Sequence, residues 1–177
     1  WRFGGAGPQS LTATAGASSA TFAATATAPP ASQFSITVRY LGSEPSTSVK
    51  NAFANAAAQW SHVIVGDLPD IVLSGGTVLP PVSINLPNAG LVTCIPQVAN
   101  ETIDDMVIYA TVRSIDGEGN ILGAATPTHV RTSDHTTIGG CMMFDSADLA
   151  ELESLGRLQD VIQPHFMLAD VGQLETV

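Results

Sequence analysis

Basic residues are scarce in this 177-residue chain: six Lys and Arg stand against 16 Asp and Glu, for a net charge of −10 at pH 7. A nucleic-acid groove needs clustered cations, so the composition excludes one, and an acidic chain has little attraction for anionic lipid. Charged residues of both signs make up only 12%. No apolar run approaches the roughly 18 residues that a helix needs to cross a bilayer. There are two cysteines, Cys94 and Cys141, with no Cys-x-x-Cys and no His cluster beside them, which argues against a four-ligand zinc site built on the pair. The Gly-x-Ser-x-Gly elbow, the phosphate loop, the dinucleotide glycine fingerprint and His-Glu-x-x-His are all missing, and with them the local signatures of four large enzyme groups.

What is present suits a folded domain. Hydrophobic residues reach 45%, and the length suffices for one domain with a real core. Low charge and a cysteine pair lead to the expectation of a secreted, extracellular protein with a Cys94–Cys141 disulfide, two buried thiols being the alternative. Asn100-Glu101-Thr102 is a glycosylation sequon.

Residues 1–33 form a separate compositional block of Ala, Thr, Ser and Gly with no charge after Arg2. Composition favours a linker, closed by the stiff Pro29-Pro30 pair. Its Thr/Ala alternation, with a strand-like period of two, also fits an extended arm that adds to a sheet edge, in its own chain or in a second copy as a homo-oligomer. The globular part, residues 34–162, reads as α+β with a mixed, twisted sheet, one long amphipathic helix and a short C-terminal helix. Phe34–Leu41 alternates as a half-buried strand. Ser46 caps a helix whose apolar face runs from Val49 through Phe53 and Trp60 to about Val65, stopped by Gly66. Residues 74–102 read as a surface excursion with short strands. Asp104–Val112 is nearly continuous in apolar character and so central in the sheet. Ile115–Gly123 reads as two short strands around a tight turn rather than a calcium loop. Residues 126–137 read as a polar loop holding His129, Asp134 and His135, and Ile138–Phe144 as the next strand. Asp145 or Ser146 caps a helix over Ala147–Leu155, Gly156 breaks it, and a further helix starting at Arg157 is expected to stop or kink at Pro164. Residues 163–177 are a divergent tail.

Several segments in order, among them Val38-Arg39-Tyr40-Leu41-Gly42, Val63-Ile64-Val65-Gly66-Asp67-Leu68-Pro69-Asp70, Phe144-Asp145-Ser146-Ala147-Asp148-Leu149 and Gly156-Arg157-Leu158, resemble the N-terminal half of leishmanolysin-like metallopeptidases, a metzincin branch. The resemblance covers residues 34–162. It implies a zincin-like fold and a zinc endopeptidase in which two His one turn apart hold the metal and the Glu between them activates its water. It further implies that the strand before the catalytic helix offers its edge to an extended peptide; here that is Gly140, Cys141, Met142 and Met143.

The departure from that pattern is at the metal helix. With one residue inserted, His165 falls at the first zinc ligand, but Phe166 then replaces the Glu and Ala169 the second His, and neither can do the work. His165 is thus a remnant at most, and no stoichiometric zinc, catalytic residue or peptidase activity is expected. An inactive relative, a frame-altered gene and a fragment all fit the sequence. The alternative function is a non-catalytic, self-assembling extracellular module that works by edge-strand addition.

Overall fold

The computed structural model describes residues 7–26, 34–64, 66–86, 90–95 and 98–171. The Pro29-Pro30 spacer and the last six residues of the tail lie outside them. The chain divides into two compact units, residues 1–31 and 32–177.

In the first unit, β1 (Gly7–Ala15) and β2 (Ser18–Ala26) pair antiparallel along their whole length. Gly16 takes φ +60° at the turn, the left-handed region that a two-residue hairpin turn demands and glycine enters without penalty. The strand-like alternation is therefore correct. Residues 7–26 form a hairpin rather than one extended strand, each alternating half pairing with the other along one edge.

The second unit is mixed α+β. Its main sheet runs in the order β3 (Ile36–Tyr40), β8 (Met106–Arg113), β10 (Thr137–Asp145), β9 (Gly123–Val130). The first three strands are parallel and β9 is antiparallel to β10. Side chains alternate across the strands, and each face of the sheet has its own core. Met106, Ile108, Met142 and Phe144 pack with α1 (Thr47–Val63) and α3 (Leu158–Val171). Val107, Tyr109, Cys141 and Met143 pack with two antiparallel ribbons. One ribbon is β4 (Ile71–Leu79) with β7 (Val98–Ile103), the other β5 (Val82–Leu86) with β6 (Gly90–Ile95).

The helices follow from local chemistry. The Ser46 hydroxyl accepts from Val49 N at 3.2 Å and starts α1, supplying a partner to an otherwise orphaned amide. Phe53 is wholly buried and meets Tyr40 and Phe144 edge-on, at ring-centroid distances of 5.6 and 5.8 Å. The helix ends at Val63 with Ile64 already extended, earlier than Gly66. Asp145 caps α2 (Ser146–Ser154) through Ala147 N at 2.7 Å.

Three local readings change. Residues 115–122 form no strand pair with one another: the Asp145 carboxylate takes the amides of Ile115, Asp116 and Gly117 at 2.7, 2.8 and 3.0 Å, and Asp148 takes that of Gly119 at 2.7 Å. Those carboxylates shape the loop themselves. Residues 126–130, expected in the polar loop, belong to the strand β9, which begins at Gly123 and whose Ala124 and Ala125 are small enough to bury beside β10. Gly123 lies so close to Phe144 that a Cβ would sit 2.7 Å from its ring. Finally, α3 continues past Pro164 to Val171. A proline inside a helix costs about 3 kcal/mol, but Ile162 and Phe166 are buried on its two sides, each worth about 1.5–3 kcal/mol.

Candidate functional site

His165 is where the resemblance would set the first zinc ligand. It lies on α3 but points into the core, 3% exposed. Its Nδ1 lies 2.8 Å from the Val161 carbonyl and its ring centroid 5.0 Å from that of Phe144. Phe166 is buried against Phe53, and the remaining histidines lie elsewhere: His62 exposed on α1, His129 on β9, His135 in the turn after β9. Among the described residues, the one group of acidic, His or Cys side chains close enough to share an ion is Asp67, Asp104 and Asp105. Asp105 is already committed there: Oδ2 accepts from Ser35 N and Oδ1 from Leu68 N, both at 2.6 Å, while Asp104 accepts from the Ser35 hydroxyl at 2.8 Å. Those bonds fix the start of β3. The donor set around His165 does not fit zinc.

Burial of His165 has a consequence for stability. It pushes the imidazole below its ordinary pKa, against the opposing pull of the Val161 carbonyl. The unfolded chain therefore takes up this proton at a higher pH than the folded one, and stability falls as pH drops below about 6.5. His129 is shifted the same way, again by burial. Urea midpoints should fall between pH 7.5 and pH 5.5, and His165→Phe should flatten part of that fall. An unchanged slope in the variant would contradict it.

Gly140, Cys141, Met142 and Met143 do not form an edge. They are buried, with β8 on one side and β9 on the other, so every ladder position is taken. The edges of the sheet are β9 and β3. The β9 edge carries Pro127, which has no N–H to offer and blunts pairing. The β3 edge has no proline, and among the described residues no strand pairs with its outer side. Leu41 N–H reaches inward to Ala110 O at 2.9 Å, and Ser35 N–H inward to Asp105. Successive residues of a strand aim their backbone groups to opposite sides. Ile36, Val38 and Tyr40 therefore present their N–H and C=O groups outward.

Beside this edge runs an open groove of about 630 Å³ between β3 and α1. Ile36, Val38 and Tyr40 line one wall; Asn51, Ala54 and Ala58 line the other. The helix wall is low because its residues there are small, and Ala54 and Ala58 are exposed. No carboxylate lines the groove. Arg39, on the opposite face of β3, is held in a two-pronged pair with Glu101 of β7, which braces β3 against the ribbon.

Periodicity gave the strand and the helix that make this groove but not its openness. The available signal was that Phe34–Leu41 alternates while Asp104–Val112 is continuously apolar, the difference between a less covered and a central strand. The Cys94–Cys141 disulfide is present and joins β6 to β10. Among the described residues no helix is long and apolar enough to cross a membrane. Set against known proteins, the chain matches no family, no curated sequence and no solved structure.

Proposed function

We propose that this chain is a non-catalytic, extracellular binding module that takes up an extended peptide as an added strand on β3. The observation that carries this reading is the outward-facing backbone of Ile36, Val38 and Tyr40 beside a groove walled by alanines. Each main-chain hydrogen bond is worth only about 1 kcal/mol net, so several must form together, and three residues supply six groups. Alternate side chains of the guest would face α1, where Ala54 and Ala58 leave room for one large apolar residue. The disulfide is compatible with export.

The test is to select nine-residue peptides from a displayed library against the full chain and follow amide exchange. The amides of Ile36, Val38 and Tyr40 should slow on binding, and Ala54→Arg with Ala58→Arg should abolish it. Selected peptides that protect other amides and ignore the two arginines would overturn the reading.

A second reading concerns ancestry: the scaffold as the N-terminal half of a leishmanolysin-like peptidase. Its support is that β10 leads through α2 into α3, the order the resemblance implies, with His165 on α3. Reading the gene beyond codon 162 in all frames tests it; a restored His-Glu-x-x-His is the expected result, and its absence in every frame counts against it.

A further inference from the structure

The hairpin of residues 7–26 has two unlike faces. Directly opposed residues share a face, and the register sets Leu11 opposite Phe22, Ala13 opposite Ala20 and Gln9 opposite Ala24. The other face sets Thr12 opposite Thr21 and Thr14 opposite Ser19, with the Thr12 and Thr21 hydroxyls 3.1 Å apart. One face is thus largely apolar and the other hydroxylic. Leu11 is 46% exposed and Phe22 62%, so the hairpin by itself does not cover its apolar face. An isolated two-stranded hairpin is marginal in water, and a further strand or a helix against its apolar face is what stabilises one. The second unit offers both at one place: the open edge of β3 and the low wall of α1.

Resting on the strand-addition reading above, we propose that the occupant of the β3 groove is β2 of a second copy of this chain, with Phe22 as its anchor. Of the two hairpin strands, β1 contains Pro8, which has no N–H, whereas β2 contains no proline, so every second residue of β2 turns an N–H away from β1. Phe22 is the central residue of β2, as Val38 is of β3. With β2 laid along β3, Ala20, Phe22 and Ala24 face α1, and the phenyl ring occupies the space over Ala54 and Ala58. The threonine face then turns the other way.

Charge favours the same partner. The strands β1 and β2 carry no charge, whereas all 16 acidic residues lie after residue 33. Two such bodies repel each other face to face, while a neutral hairpin approaches the carboxylate-free groove without that cost. Reciprocal exchange closes a dimer, whereas one-way exchange propagates a chain of copies.

Three full-length proteins test this by sedimentation: the wild type, Phe22→Lys, and Ala54→Arg with Ala58→Arg. The wild type should associate, with exchange at Ile36, Val38 and Tyr40 slowing as concentration rises. Loss of a buried aromatic anchor should weaken association roughly 30-fold or more, and the groove variant should do the same. An equal mixture of the two variants should form a heterodimer, since one still supplies a groove and the other a hairpin. That rescue also separates a lost contact from a misfolded variant. A wild type that stays monomeric throughout, or variants that associate like it, would overturn the proposal. So would a monomer whose three amides are slow at every dilution, which would set the hairpin on its own body. If the wild type is monomeric and selected peptides still protect the three amides, only the identity of the guest is wrong; if no peptide does, strand addition itself falls.

Discussion

Replacing Cys94 and Cys141 by alanine should lower the unfolding free energy by about 4 kcal/mol. The two cysteines are wholly buried, their Cα atoms are 5.8 Å apart and they are separated by 47 positions in the chain. Closing a loop of that length removes about 4 kcal/mol of chain entropy from the unfolded state. The bridge lies inside the second core cluster with Val92, Tyr109 and Met143, so the freed side chains gain no hydration to offset the loss. It also ties the β5–β6 ribbon to the centre of the main sheet, and that ribbon pairs with no other strand among the described residues. Amide exchange in β5 and β6 should therefore rise before that in β8. Urea unfolding of the oxidised chain and of the double variant, followed by exchange, measures both effects. Coincident midpoints would show that the bridge only decorates a ribbon already held by packing.

Arg131→Met should cost about 3–5 kcal/mol, against the habit of regarding a buried cation as a liability. Arg131 is 4% exposed. Its Nη1 donates to Thr137 O at 2.9 Å, and its Nη2 to Asp105 O at 2.6 Å and Pro69 O at 3.1 Å. Three segments far apart in the chain meet on one guanidinium: the stretch after α1, the residue before β8 and the start of β10. Methionine fills the space but takes the guanidinium donors from two buried carbonyls, those of Asp105 and Thr137, at about 1–3 kcal/mol for each buried group left unsatisfied, while Pro69 is exposed to water. Relief of the guanidinium's own desolvation offsets part of that sum. Arg131→Lys should recover only a fraction, because an ammonium is compact and lacks the planar fork that spans divergent acceptors. Equal stability of the methionine, lysine and wild-type chains would remove Arg131 from this role.

The elements legible in the sequence are those whose determinants are local. The α1 helix is announced by Ser46 and by apolar residues at helical spacing, α2 by the Asp145 cap, and β3 and β8 by alternation and by continuous burial. The Cys94–Cys141 bridge followed from there being two cysteines and an expected export context. The errors share another origin. Ile138–Phe144 reads as a strand either way, and nothing in its residues says whether one neighbour or two will pair with it. Residues 126–130 look polar along the chain, yet β10 needed a second neighbour and Ala124 and Ala125 fitted beside it. The carboxylates of Asp145 and Asp148 reach back some 30 residues to shape a loop whose own sequence suggests a hairpin. Pro164 breaks a helix by local rule, but two buried side chains flanking it outweigh one lost hydrogen bond. His165 shows the same division: its sequence position suggests a ligand, while its burial against Phe144 makes it part of the core. Side-chain periodicity and capping act over one turn or one pleat, so the sequence alone determined which segments became helices and strands. Strand order, and with it the open edge of β3, was decided only in the tertiary structure, because backbone hydrogen bonds in a sheet are made between segments that no local pattern brings together.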